Sequence, residues 1–343
     1  MSRFRRLLRS RGLWPHRPPR GGLLVALGVA IAVAVSSGGG CRKNAQEVPA
    51  PPEMPGPPGV PQPPEPPMPP PPPGAAPEAV RGTDYFEVPR AGERRIRADF
   101  DLALGRVEVA QAEPGFLFQA EVALVGQGMR PRFESRSDGE EAAVSLSLDG
   151  HDVSLRGVRR GEGNLWRLYL SHEVPLDLEL QLGAAEADLN FSRVPLSRLD
   201  LHSGLAQTRL RFGAPNPIPM ARLDVEAGLG NFTAHGLGNA RFREFSFDGG
   251  GGRFVLDFRG EALVPGARAE VDVGLASLVV VVPGGHPVVL EAPSSFATHV
   301  RVPRAYAARG EGRWVSPEAA RRPDAALHLT IDAGPGNVEV KEE

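Results

Sequence analysis

The sequence predicts an all-β fold: a β-solenoid of parallel, β-helix-like coils of about 22 residues, set behind a signal peptide and a proline-rich linker. Three observations lead there. Apolar and polar residues alternate over short runs, the mark of strands with one face in and one face out. The runs recur around a glycine, with steps of 21, 24, 22 and 24 residues from Gly183 through Gly204, Gly228 and Gly250 to Gly274. A unit of that size cannot bury its apolar face alone, so units must stack.

The units read in order. Leu178 and Leu180 lead to Gly183, with Leu189 and Phe191 beyond. Leu199 and Leu201 lead to Gly204, with Leu210 and Phe212 beyond. Leu223 and Val225 precede Gly228, Phe245 and Phe247 precede Gly250, and Ala269 and Val271 precede Gly274. Two outlying copies take the same register, Phe100 and Leu102 before Gly105, and Leu329 and Ile331 before Gly334. Each unit is expected to be two short strands joined at its glycine, where a bend needs backbone freedom. Stacked at about 4.8 Å, the matched Leu, Val and Phe positions form internal columns. The third unit is thin, with Ala234 and Gly236 at its late apolar positions. An antiparallel sandwich with short strands is the competing reading, but it requires no shared glycine phase.

The flanks of the repeat are less regular. Residues 84–164 are expected to supply first rungs or a covering layer, with strands at Glu121–Val125, Val144–Leu148 and Val153–Leu155. Residues 293–325, rich in Pro, Arg and Ala, are expected to loop out before a last rung. Solenoid ends expose unpaired strands and need covers. Trp166 and Trp314 are candidates for those covers.

The N-terminus reads as an address. Residues 1–20 carry seven arginines and no acidic residue, followed by an apolar run from Leu23 to Val35. Such a run covers about 20 Å as a helix, short of a hydrocarbon core of about 30 Å. It suits the apolar core of an export signal. Small residues from Ser36 to Gly40 then precede Cys41, the single cysteine of the chain. This arrangement resembles a bacterial lipoprotein signal, which implies removal of residues 1–40 and lipid on Cys41. Gly38 stands where that pattern usually has an apolar residue. The alternative is an uncleaved single-pass signal anchor in the inner membrane. Arg42 follows the cysteine, where an aspartate often signals inner-membrane retention. The resemblance therefore implies the outer membrane, facing the periplasm, if the organism has one.

Residues 41–83 form the lipidated cysteine and its linker, and residues 84–343 the body. Seventeen of the 36 prolines lie between Pro49 and Pro77. Runs such as Pro69–Pro73 favour polyproline II. Fully extended, the linker would reach on the order of 100 Å. Its expected role is reach, with proline recognition by a partner domain as the second reading.

Charge and motifs exclude several chemistries. Without residues 1–40 the chain holds 32 basic and 41 acidic side chains, the wrong sign for nucleic acid. One cysteine rules out an internal disulfide and a cysteine-based zinc site. The eight histidines include no HExxH, and neither a GxSxG nor a phosphate-binding loop signature is present. No cofactor is expected. Glu179, Asp200, Asp224 and Glu270 fall at one aligned outward position, and Glu226, Asp248 and Asp272 at another. Stacked carboxylates repel, and calcium would relieve that. Arg198, Arg222 and Arg268 offer counter-charge without metal. The expectation is a solvated face and no metal site.

A family resemblance rests on Trp166, Leu168 and Leu170, then Val174, Pro175, Leu176 and Leu178, then Gly183, Leu189 and Phe191. These residues resemble the opening of the toast-rack domains of bacterial envelope proteins, the LiaF-like group among them. The resemblance spans roughly residues 95–340. It implies a β-solenoid and a setting at the membrane or outside the cytoplasm. It supplies no catalytic residue, and the membrane helices usual in LiaF-like members are lacking. The expected function is a non-enzymatic, lipid-anchored interaction or sensing module, binding an envelope protein or a cell-wall polymer. A carbohydrate-active β-helix enzyme and a purely structural envelope protein are the alternatives.

Overall fold

In most rungs of the molecule a single strand turns its own corner. The computed structural model describes residues 82–125, 129–149, 163–293 and 298–343. Their strands join in one continuous sheet. The first six are β1 (Asp84–Pro89), β2 (Arg95–Gln111), β3 (Phe116–Ala123), β4 (Arg130–Ser137), β5 (Glu141–Asp149) and β6 (Leu165–Leu170). The repeat proper is β7 (Leu176–Asn190), β8 (Leu196–Arg211), β9 (Met220–His235), β10 (Phe242–Asp257) and β11 (Arg268–Val282). Then come β12 (Val288–Glu291), β13 (Thr298–Arg301), β14 (Ala307–Ala308) and β15 (Arg313–Val315). A one-turn helix, α1 (Pro317–Arg321), leads to β16 (Leu327–Ala333) and β17 (Gly336–Glu342).

The corner is written in the burial pattern. Around the corner of β8 the buried positions are Leu199, Leu201 and Ser203, and then Ala206, Thr208 and Leu210. The alternation slips by one residue at the exposed pair Gly204 and Leu205. In a straight strand that slip would turn the second half inside out. A bend at the slip lets both arms face one core. The same slip falls at Gly228–Leu229 in β9 and at Gly274–Leu275 in β11. The expected pair of short strands is thus a single strand with a corner in it.

The rungs β2, β7, β8, β9, β10, β11 and the pair β16–β17 stack in that order, parallel throughout. Inside, Phe100, Leu180, Leu201, Val225, Phe247, Val271 and Ile331 form one column. Side chains trade volume across the corner. Leu182 faces the same interior as Ala187, Ala227 the same as Phe232, and Gly249 the same as Phe254. A Cβ on Gly249 would lie 2.6 Å from the Phe254 ring and 2.8 Å from the Phe247 ring. In β8 the pair is polar, and the Ser203 and Thr208 hydroxyls bond each other at 2.9 Å. The thin third rung is filled from its return turn, where a 3₁₀ turn at Leu237–Ala240 buries Leu237 and Ala240 completely.

Asparagines tie the return loops together. Fully buried Asn216 donates from Nδ2 to the carbonyls of Leu196 at 2.7 Å and Ala240 at 3.2 Å, so it reaches the rungs on both sides. Asn239 donates to the Phe212 carbonyl at 3.0 Å and accepts from the Glu261 N–H at 2.8 Å.

Spatial order departs from chain order at both ends. β5 and β6 pair in parallel with the two arms of β2, so β2 lies between β6 and β7. At the other end β16 and β17 fill the gap between β11 and the half-rungs β12 and β13. Beyond the stack the pairing turns antiparallel: β4 covers β5, β3 covers β6, β1 covers β3 and β15 covers β12. Antiparallel covers close off edges that a bare parallel stack would leave open. Residues 84–149 therefore contribute both a rung and a cover. Of the excursion expected at residues 293–325, β13 stays in the stack as a half-rung beside β17, whereas β14, β15 and α1 lie outside the parallel rungs. Trp166 is fully buried beneath β3, where its Nε1 donates to the Leu104 carbonyl at 3.1 Å. Trp314 is half-buried on β15 opposite Leu290. The strand expected at Val153–Leu155 lies outside the described residues.

Candidate interaction surface

Two columns of small residues line the corner. Gly183, Gly204, Gly228, Gly250, Gly274 and Gly334 stand in the first. A Cβ on any of the last five would lie 2.4–2.9 Å from the carbonyl oxygen of the glycine one rung before. A Cβ on Gly183 would meet the Ala103 carbonyl oxygen at 2.2 Å. Ala103, not Gly105, is therefore the β2 member of this column, and the sequence register is wrong there by two residues. Gly105 pairs with Ala185 in the second column, which runs on through Ala206, Gly230, Gly252, Ala276 and Gly336. Its φ of +122° and the Asn164 carbonyl oxygen, 2.2 Å from where a Cβ would stand, explain the glycine.

Three rows run along the outer face of the first arm. One contains Arg97, Asp177, Arg198, Arg222, Glu244, Arg268 and His328. The next contains Asp99, Glu179, Asp200, Asp224, Ser246, Glu270 and Thr330. The third, beside the glycine column, contains Asp101, Gln181, His202, Glu226, Asp248, Asp272 and Asp332. Both carboxylate alignments read from the repeat are in register.

The rows differ in how they are neutralised. Arg198 bonds Asp200 at 2.9 Å and lies 3.8 Å from Asp224. Arg222 bonds Asp224 at 2.6 Å and reaches Glu244 at 4.0 Å. Burial holds the Asp200 carboxyl above its ordinary range, and neighbouring Asp224 adds to that against the pull of Arg198. Partial burial and then the charges of Glu179 and Asp101 raise Asp99. In the third row His202 bonds Glu226 at 2.9 Å. Asp248, Asp272 and Asp332 have no ion-pair partner among the described residues. Partial desolvation, then the charges of Asp248 and Asp332, raise the Asp272 carboxyl.

On the other side of the glycine column stands an apolar ridge. Leu205, Leu229 and Leu275 are 61%, 60% and 71% exposed. Only Tyr85 among the other large apolar side chains described is comparably bare. The leucines follow Gly204, Gly228 and Gly274 directly, so the corner geometry points them outward. In the rung between them Gly251 leaves room that a Leu229 methyl fills, 3.0 Å from where a Cβ would stand. The third acidic row and the glycine floor enclose a trough of about 460 Å³. A second groove of about 760 Å³ lies past the ridge, with Leu205, Leu229, Ala185, Arg106 and Glu186 on its walls.

Residues 1–81, with Cys41 and the expected signal and linker among them, lie outside the described residues. Among the described residues no three His, Cys, Asp or Glu side chains are arranged to hold a metal ion. Sequence reasoning missed the leucine ridge and the bridging asparagines. The ridge has a signal, the Gly-Leu dipeptide repeated at 204, 228 and 274. A lone Asn in a return loop has none.

Residues 77–235 match the family model described as "N-terminal domain of toast_rack, DUF2154". This segment is a toast-rack N-terminal domain. No curated protein matches the chain. Among solved structures, the chain is similar to a candidate cell adhesion protein from Clostridium sporogenes. That likeness has 14% identity and a TM-score of 0.39, and covers 77% of this chain and 100% of the other. A candidate adhesin from Bacteroides fragilis gives 10% identity and a TM-score of 0.32, covering 76% and 97%. A candidate lipid binding protein from Parabacteroides distasonis gives 10% and 0.27, covering 76% and 94%.

Proposed function

We propose that the chain is a non-enzymatic, lipid-anchored interaction module of the bacterial cell envelope. Residues 1–40 direct export and are removed, Cys41 takes the lipid, and residues 42–83 hold the toast-rack body away from the bilayer. The observation that carries the reading is the outer face of the stack. Its side chains are arrayed in fixed rows by backbone register, one rung apart. A rigid periodic face suits recognition of an extended partner, an envelope protein or a cell-wall polymer. The sequence before the body supports anchoring: seven arginines, an apolar run, then small residues ahead of a lone cysteine. Two or more acyl chains on that cysteine would bind membrane stably where one would not.

Fractionation of cells fed an alkyne fatty acid tests this reading. The full chain is expected in the membrane fraction, labelled and shortened by its signal, with Cys41→Ser unlabelled. A soluble, unlabelled wild-type chain would overturn the anchor, and labelling that survives in Cys41→Ser would overturn the role of Cys41.

A further inference from the structure

We infer that the corner of the stack is a docking surface for a basic, amphipathic polypeptide segment, lying along the solenoid axis with apolar side chains on the leucine ridge and Lys or Arg side chains against the third acidic row. This names the partner class for the interaction module proposed above and rests on that reading.

Two properties of one edge combine here. The first is apolar exposure without an internal purpose. Leu205, Leu229 and Leu275 project from the corner at more than half exposure, whereas the strand leucines of the arms of these rungs, such as Leu199, Leu223 and Leu278, are 0–1% exposed. Burial energy does not place leucine at these three positions, since Ala184 and Gly251 hold the equivalent place in neighbouring rungs. The second is charge. Asp248, Asp272 and Asp332 succeed one another on adjacent rungs at about 4.8 Å, with no cation among the described residues to offset them. Like charges directly opposite destabilise a sheet. Nearby, Arg198 and Arg222 show that the fold does supply counter-ions to the second row. Among the described residues, Asp248, Asp272 and Asp332 of the third row receive no such counter-ion.

The glycine column joins the two. With no side chain on the floor beyond the Ala103 methyl at one end, the trough lets a partner approach the backbone between ridge and acidic row. The seven rungs give it a length of about 29 Å. That is roughly five turns of helix or nine residues of extended chain.

Complementarity selects the occupant. An anionic leaflet would be repelled by the row, so a membrane surface is a poor fit. A second copy would bring one convex ridge against another along a line. That contact buries far less than the roughly 800 Å² per partner of a stable interface. A cationic segment with an apolar stripe meets both features at once.

The test is a binding titration of the full-length chain carrying Cys41→Ser, which cannot take a lipid there, with a synthetic Leu/Lys peptide of helical period, a Leu/Glu peptide of the same pattern, and neutral and anionic lipid vesicles. The Leu/Lys peptide is expected to bind and the Leu/Glu peptide not. Leu205→Ser with Leu229→Ser, which leaves the charge unchanged, is expected to weaken binding at least tenfold, as is Asp248→Asn with Asp272→Asn. All four positions are at the surface, and cooperative thermal melts within a few degrees of the wild type confirm that the variants fold. Binding that ignores the leucine variants, equal binding of the Leu/Glu peptide, tighter binding of vesicles, or ridge-dependent self-association would each overturn the inference. The titration does not depend on Cys41. A chain that is anchored but does not bind sinks this inference alone, and one that binds but is not anchored sinks the anchor alone.

Discussion

Gly252 lies so close to Gly230 that a Cβ on Gly252 would stand 1.8 Å from the Gly230 carbonyl oxygen. The contact spans two adjacent rungs at the corner, and Gly252 has a φ of +141°. Gly252→Ala is therefore expected to destabilise by about 2–4 kcal/mol, combining backbone strain with a clash that no flexible side chain can relieve. Ala276, in the same column on the next rung, already carries a Cβ. Ala276→Gly should cost only about 1 kcal/mol. Paired urea titrations check the contrast, and equal costs would contradict it.

The buried Ser203–Thr208 hydrogen bond is the one polar link among the pairs that face each other across the corner. Ser203→Ala alone leaves a buried hydroxyl without its partner and should cost about 1–3 kcal/mol. Ser203→Ala with Thr208→Val restores the apolar pairing of neighbouring rungs and should recover most of that loss. A double mutant as weak as the sum of the singles would refute the pairing.

Asn216 joins three rungs through two donated bonds. Asn216→Ala is expected to cost about 2–4 kcal/mol, because the Leu196 and Ala240 carbonyls lose a buried donor. Hydrogen exchange should quicken first in the return loops at 212–219 and 236–241. Uniform quickening along the arms would show that the asparagine does not act locally.

Carboxylates of opposite behaviour set the pH dependence. Asp272 is raised in the folded protein, so its destabilising effect appears as pH climbs through that raised value and persists at neutrality. Asp272→Asn should lift Tm by roughly 1 °C at pH 7 and do nothing below pH of about 3. Burial pushes Asp257 up, but bonds from the Arg259 side chain and backbone N–H outweigh it, and the carboxyl is held low. Its stability is present above the ordinary carboxylate pKa and vanishes as pH falls through the lowered one. Asp257→Asn should therefore lower Tm at pH 7 and lose its effect in acid. Melting curves from pH 2 to 8 read both signs.

The sequence carries the rung register wherever one glycine phase persists. Asp200 beside Asp224 and Asp248 beside Asp272 follow directly from counting around Gly204, Gly228, Gly250 and Gly274. Gly105 misled because the corner has two small-residue columns, and a glycine alone does not say which one it occupies. Rung order was not legible at the ends. The faces that β2 offers to β6 and to β7 are alike in pattern, so nothing local says that β2 sits between them. The same holds for β16 and β17, which reach β11 across the excursion that follows β12. Asn216 was invisible because alternation marks strand faces, whereas its partners are backbone carbonyls at the start of β8 and in the turn after β9.

Spin labels at Gln181, Asp272 and Asp332 test the stacked, in-register architecture most directly. These positions lie in one row, and each rung adds about 4.8 Å. Four steps place Gln181 and Asp272 about 19 Å apart, and the inserted last rung places Gln181 and Asp332 about 24 Å apart. Backbone separations that grow by one rung between the two pairs agree with the account. A Gln181–Asp332 separation shorter than that of Gln181–Asp272, as antiparallel sheets folded face to face would give, contradicts it.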